Sequence, residues 1–191
     1  GLFEHDLPPG LHYRDDFISV AEESSLVDAI NAIQFSTFEM RGVVARRRVA
    51  FFGRSYDAVP GPEQPIPEFL FFLRDRLAAW AQVDAPAFAM ALINEYREAA
   101  PIGWHRDAPQ YDLVAGVSLL SSCRMKLRPY CAPKDAAALK GARKTTHEIT
   151  LQILACHGAD AIRQHTHQTR SEFRNALQHE IEACCRKTRD A

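Results

Sequence analysis

Apolar and polar positions change period along this chain, and the changes outline its elements. Leu26, Ile30 and Ile33 recur at helical spacing within SLVDAINAIQF, the stripe of a helix with one buried side. Ser24 and Ser25 stand ahead of it as candidate caps. A second helix is predicted from about Pro67 to Gln82, with Leu70, Leu73, Leu77 and Trp80 on one side. Pro67 suits its first position, where a missing N–H costs nothing. Between the two, RRRVAFFG reads as a strand ending at Gly53, and YDAVPGPEQPIP as a Pro-rich loop. From Ala87 the period falls to two: Phe88, Met90, Leu92, Asn94 and Tyr96 share one face of an extended segment. DLVAGVSLL, RMKLRPY and HEITLQIL are further strand candidates. LPPGLHYRDDFIS is an irregular lead-in with one strand, and CAPKDAAALKGARKTT a polar connector.

Helices early and short strands through the middle predict an α+β fold with a β-sandwich or jelly-roll core. From Arg163 to Ala191 the chain becomes polar and rich in His, Arg, Glu and Gln. That tail reads as a helix or as disorder.

Composition adds limits. At 191 residues and 47% hydrophobic, the chain suits one domain with a sizeable core. A net charge of −1 gives no global basic field; the local exception is Arg46-Arg47-Arg48, flanked by Arg41 and Arg54. Five cysteines, an odd number with no C-x-x-C pair, argue against a disulfide framework or structural zinc and for a reducing, cytoplasmic setting. No apolar run is long enough to span a membrane and no signal peptide is evident. The chain starts at Gly1 rather than Met, as a trimmed sequence or a fragment does. A monomer is expected.

The densest chemistry lies in NEYREAAPIGWHRDAP, residues 94–109. His105 and Asp107, two apart on an extended segment, point to the same side. An imidazole and a carboxylate so placed can hold one metal, and a second histidine from a distant strand completes a facial triad with open positions, as non-haem Fe(II) requires. Taken alone the pair reads first as a surface histidine beside a turn aspartate. Its context is a strand, a turn, Ile-Gly-Trp-His-x-Asp, a loop, and then VAGVSLLSSCRMKLRP.

In that order the sequence resembles the AlkB-type 2-oxoglutarate/Fe(II) dioxygenases. The likeness rests on Asn94-x-Tyr96, on Ile102-Gly103-Trp104-His105-x-Asp107, and on the Ser118-Leu119 strand with Arg128 after it. MRGVVARRRVAFFGRSYD and LPPGLHYRDDFI resemble the segments that precede the family's core, so the likeness spans roughly residues 7–151. It implies a double-stranded β-helix, or jelly roll, with N-terminal helices. It implies that His105 and Asp107 bind Fe(II), and that Asn94 and Tyr96 hydrogen-bond 2-oxoglutarate, for whose oxygens amide and phenol are suitable partners. The implied reaction uses molecular oxygen, turns the keto acid into succinate and hydroxylates a C–H bond. In the family this is usually an N-methyl on a nucleobase of DNA or RNA, released as formaldehyde. Such a base must be single-stranded or flipped out of its duplex. Met40, Arg41 and Tyr56 lie where relatives form a substrate lid, Trp104 belongs to the pocket wall or to the core, and Arg46 to Arg48 either meet phosphate or, for one or two of them, solvate a strand edge.

The resemblance has two gaps. Ala99 stands where relatives carry a turn glycine. Beyond about Leu151 the family continues to a third metal-binding histidine and an R-Y-S strand whose arginine pairs with the distal carboxylate of 2-oxoglutarate. No R-Y-S is present here. His167 is the candidate third ligand and Arg174 the candidate keto-acid arginine. Residues 1–151 are thus expected to form the dioxygenase domain. Residues 152–191 form a divergent tail, helical or translated out of frame; in the second case the chain lacks the final core strands. Two alternatives stay open: an inactive module that binds nucleic acid or protein, and an oxygenase of the same chemistry with another substrate.

Overall fold

The computed structural model describes residues 7–8, 10–40, 42–54, 64–97, 100, 102–105, 111–121 and 123–128, and, as backbone strands, 147–151, 154–158, 165–169 and 178–186. Helix α1 runs Val20–Asn31, six residues earlier than the apolar stripe alone indicates. Its cap is Ser19 rather than Ser24 or Ser25: the Ser19 hydroxyl accepts from the Glu22 N–H at 3.3 Å, and the Ser19 N–H donates to the Glu22 carboxylate at 2.8 Å. This reciprocal box satisfies two N–H groups that a helix start leaves open. Helix α2, Phe71–Ala81, follows a 3-10 turn at Glu68–Leu70 and ends at Gln82, which adopts a left-handed conformation. Arg76 of α2 reaches Glu22 with both terminal nitrogens, at 2.5 and 3.0 Å, and the Phe17 carbonyl at 3.1 Å. The two helix predictions therefore hold in kind, with the first displaced by its cap.

The strands are β1 (His12–Asp15), β2 (Ser36–Met40), β3 (Val43–Gly53), β4 (Phe88–Tyr96), β5 (Tyr111–Leu119), β6 (Cys123–Arg128), β7 (His147–Leu151), β8 (Leu154–Gly158), β9 (His165–Thr169) and β10 (Gln178–Arg186). They form a seven-stranded sheet, β1-β8-β5-β10-β4-β3-β2, and a three-stranded sheet, β7-β6-β9. From β5 onward the chain passes back and forth between the two sheets, and only residues 152 and 153 separate β7 from β8. Such repeated crossing is the topology of a jelly roll. HEITLQIL, expected as one strand, is split at that crossing into β7 and the start of β8.

The tail departs most from expectation. Its described parts are strands rather than a helix, and β10 lies between β4 and β5 in the large sheet. That is a place within the core of the sheet. Within QHEIEACCR, Glu180-Ile181-Glu182-Ala183 alternates in polarity, as a sheet with two different faces requires.

Those faces organise the molecule. Directly opposed residues on neighbouring strands share a face. On one face Ala50, Phe52, Ala91, Ile93, Ala115 and Val117 join Leu26, Ile30, Leu73 and Leu77 of the helices in a single buried core. Ile181 of β10 takes register between Ile93 and Val117 on this face. On the other face Met90 and Val114 are buried, with Leu92 and Tyr111 packed on them. Both faces of β4 are thus covered, which explains its nearly continuous burial.

Candidate active site

At one end of the second face the burial turns polar. Asn94 and Tyr96 on β4 are 1% and 4% exposed, and Ser118 on β5 is 2% exposed. Register aligns Val49, Asn94, Glu180 and Ser118 across β3, β4, β10 and β5. The adjacent row is Arg47, Tyr96 and Gln178. Ser118, which the sequence reading placed in the Ser118-Leu119 strand without a role in the site, shares the Asn94 side by register. Polar side chains buried together on a strand face need partners there.

His105 lies beyond the end of β4, half-buried, at a single-residue β-bridge. Its Nδ1 is 2.9 Å from the Gly103 carbonyl oxygen. A carbonyl only accepts, so the proton is assigned to Nδ1, and Nε2 carries the lone pair in the neutral ring. This is the ring orientation that a metal-ligating histidine takes from its outer hydrogen bond. Gly103 has open space where a Cβ would stand, and Trp104 is half-buried beside His105.

The other sequence candidates divide. Asp107, Arg41, Tyr56 and Arg174 lie outside the described residues, as does Ala99. Met40 ends β2, opposite Val43. His167 is on β9, in register with Lys126 of β6. Among the described residues no group of three metal-binding side chains is assembled. The arginine run separates by face. Arg48 holds Glu95 in a two-pronged ion pair at 2.6 and 2.8 Å and lies over the Phe35 ring. The carboxylate's hydrogen bond and charge raise the Arg48 pKa further. Of the three arginines read as phosphate contacts or strand-edge residues, Arg48 has its fork occupied by Glu95. Arg46 is exposed, and the Arg47 guanidinium stacks 4.6 Å above Phe38.

The sequence profile of the 2OG-Fe(II) oxygenase superfamily matches residues 49–184. This chain belongs to that superfamily. The match covers β4, the His105 segment and most of the tail, so the oxygenase includes the strands that sequence reading set aside. It is an oxidoreductase of a family that uses Fe(II), 2-oxoglutarate and molecular oxygen. No curated protein matches it by sequence. Among solved structures it is similar to an oxidoreductase of the 2OG-Fe(II) oxygenase family from Burkholderia pseudomallei, with a TM-score of 0.58 and 14% identity over 93% of this chain and 85% of that one. The non-heme alpha ketoglutarate dependent epimerase SnoN from nogalamycin biosynthesis gives 0.60 and 15%, over 93% and 78%. A Pseudomonas putida prolyl-4-hydroxylase gives 0.59 and 10%, over 93% of each chain. These likenesses establish the 2OG-Fe(II) oxygenase fold. Among the described residues no helix is long and apolar enough to cross a membrane.

The donor set suits the family's cofactors. An imidazole held by Gly103, with its lone pair on Nε2, is a donor that would suit a first-row metal. Asn94 offers an amide and Tyr96 a phenol, both buried and both able to bond carboxylate or keto oxygens. When bound, Fe(II) and 2-oxoglutarate supply the oxidising power for C–H hydroxylation. What the chain contributes is orientation of the imidazole and burial that excludes water from the Asn94–Tyr96 end of the face.

Proposed function

We propose that this oxygenase removes methyl groups oxidatively from alkylated nucleobases in DNA or RNA. His105 and Asp107 hold Fe(II), β9 supplies the third ligand, and Asn94 and Tyr96 bind the keto acid. The observation that carries the reading is the buried Asn94-x-Tyr96 pair, followed by a histidine whose Nδ1 is held at 2.9 Å by Gly103. The arrangement agrees with the AlkB-like order of motifs. Met40, Arg41, Tyr56 and Trp104 take the substrate side, where ring and guanidinium planes stack a displaced base and fix its phosphates.

Register constrains the third ligand. Leu127 is 2% exposed and opposes Thr166, whereas His167 opposes Lys126 on the alternate face. His167 serves only if the Lys126 face is the one turned to His105. A second reading, oxygenation of a small molecule or protein side chain, is favoured by the neutralisation of Arg48 by Glu95, which leaves the basic strip weaker than the sequence implies.

The deciding experiment measures succinate and formaldehyde from protein supplied with Fe(II), ascorbate, 2-oxoglutarate and a single-stranded oligonucleotide carrying 1-methyladenine. Both products are expected, and both are lost in His105→Ala. His167→Ala is the companion variant: lost iron binding assigns the ligand, and retained iron binding moves it elsewhere on β9. Succinate without formaldehyde would favour the second reading, and no turnover by the wild type would reject both.

A further inference from the structure

Helix α1 carries two adjacent glutamates with different partners. Glu22 receives Arg76 of α2. Glu23 lies on the buried side with Leu26 and Ile30 and is 8% exposed. A carboxylate taken out of water needs a donor. Glu23 Oε1 accepts the backbone N–H of Leu120 at 2.6 Å, across 97 positions of sequence. Leu120 is the first residue after β5, where the chain leaves the large sheet for β6 of the small one. The turn there is tight: the Ser121 N–H donates to the Leu119 carbonyl, two residues back, at 3.0 Å. Leu120, at its centre, has φ +71°. That combination is the strained form of the three-residue turn, and an L side chain adopts it at a cost. At 45% exposed, Leu120 offsets little of this by burial. Such a conformation persists only where its surroundings impose it, and a charge-assisted hydrogen bond from a packed helix does so here.

The turn joins the two sheets at the candidate site. Two residues before Leu120 stands Ser118, 2% exposed and in the row of Asn94. Beyond it β6 pairs with β9, the strand proposed to supply the third iron ligand. We infer that Glu23 is a positioning residue for the iron centre: its hydrogen bond to Leu120 holds the β5–β6 turn and so fixes the small sheet, with its metal ligand, against the large one. Ligands on two sheets reach one metal only if those sheets are held to fractions of an ångström. The inference rests on the Fe(II) reading above, and adds to it a residue from the helix that packs on the opposite face of the large sheet.

The test measures Fe(II) affinity without oxygen, by calorimetric titration, on the whole chain, shown by circular dichroism to be folded before iron is added. Glu23→Ala should weaken Fe(II) binding by roughly tenfold, the worth of one charge-assisted hydrogen bond. Leu120→Gly removes the strain, because glycine takes a positive φ freely, and should leave Fe(II) binding within about twofold of wild type. Added to Glu23→Ala, it should restore the affinity to within about threefold of wild type. A Glu23 that merely stabilises the fold lowers the denaturation midpoint but leaves the Fe(II) affinity of folded protein unchanged, and that result overturns the assignment. So does a loss in Glu23→Ala that Leu120→Gly fails to restore. Should Glu23→Ala not fold, the same comparison is made with Glu23→Gln, whose neutral oxygen accepts more weakly, and is judged by the same two outcomes. If wild-type protein binds no Fe(II), or His105→Ala binds it equally well, the iron reading itself fails and this inference with it.

Discussion

Glu22 does two jobs at one carboxylate. It closes the α1 capping box with Ser19 and receives the Arg76 fork from α2. The hydrogen bond from Arg76, helped by the Ser19 N–H, lowers its pKa from 4.5 to about 2. A carboxyl whose folded pKa is depressed binds protons more readily in the unfolded chain. Its contribution to stability is therefore present above about 4.5 and is lost as pH falls towards 2. Thermal melts between pH 5 and about 2 should show this loss in the wild type and a flatter profile in Glu22→Gln. An equally steep fall in that variant would assign the acid sensitivity to other carboxylates. The pair is partly exposed, so high salt should shrink the difference. At this scale the sequence was legible for identity and not for engagement. Arg46, Arg47 and Arg48 read as one basic run, yet strand alternation sends Arg48 to Glu95 and Arg47 to Phe38. Which arginine is occupied depends on a strand some fifty residues away.

Among the elements, the end of β3 is held by a close backbone approach. Gly53 has φ +78°, and a Cβ there would lie 2.3 Å from the Ala89 carbonyl oxygen. Its N–H donates to the Gln64 carbonyl at 2.6 Å. Gly53→Ala meets both a backbone clash and a left-handed conformation, and should destabilise the fold by more than about 2 kcal/mol. Chemical denaturation reads this directly, and a shift under about 0.5 kcal/mol would show that β3 and β4 can part there at little cost. Element types were legible wherever apolar period and length agreed: α2, β4 and β5 lie close to the ranges their patterns give. The start of α1 was misplaced because Ser19-x-x-Glu22, a capping box, precedes the apolar stripe by a full turn. β2 was missed because STFEM is short and lies against the edge of the sheet. β9 and β10 were missed because their polar residues outweigh an alternation that is nonetheless present: Ile181 and Ala183 fall on the helix-covered face, while Glu180 and Glu182 fall on the other. In the candidate site, strand position was legible for Asn94 and Tyr96, and the Gly103 contact of His105 was not. Nor was the register that brings Glu180 beside Asn94, since it joins segments more than eighty residues apart.

For the whole molecule, β10 is the strand on which the large sheet depends. It pairs along its length with β4 on one side and β5 on the other. Deleting residues 178–191 should leave two long unpaired edges and yield aggregated protein. A truncated chain that stays soluble, with a cooperative melt, would show that β4 and β5 can close on each other. The same placement has a consequence in time. Leu119 ends β5 and Gln178 begins β10, so the 58 residues 120–177 must be synthesised between the two. At roughly 5–20 residues per second, that interval is about 3–12 s. Throughout it, the strand bearing Asn94 and Tyr96 and the strand bearing Ser118 exist on the ribosome with their shared partner still unmade. A nascent chain in that state presents the apolar face meant for its helices and two open hydrogen-bonding edges. The oxygenase is thus born with the two strands of its candidate site apart, and they meet only when the joining strand arrives.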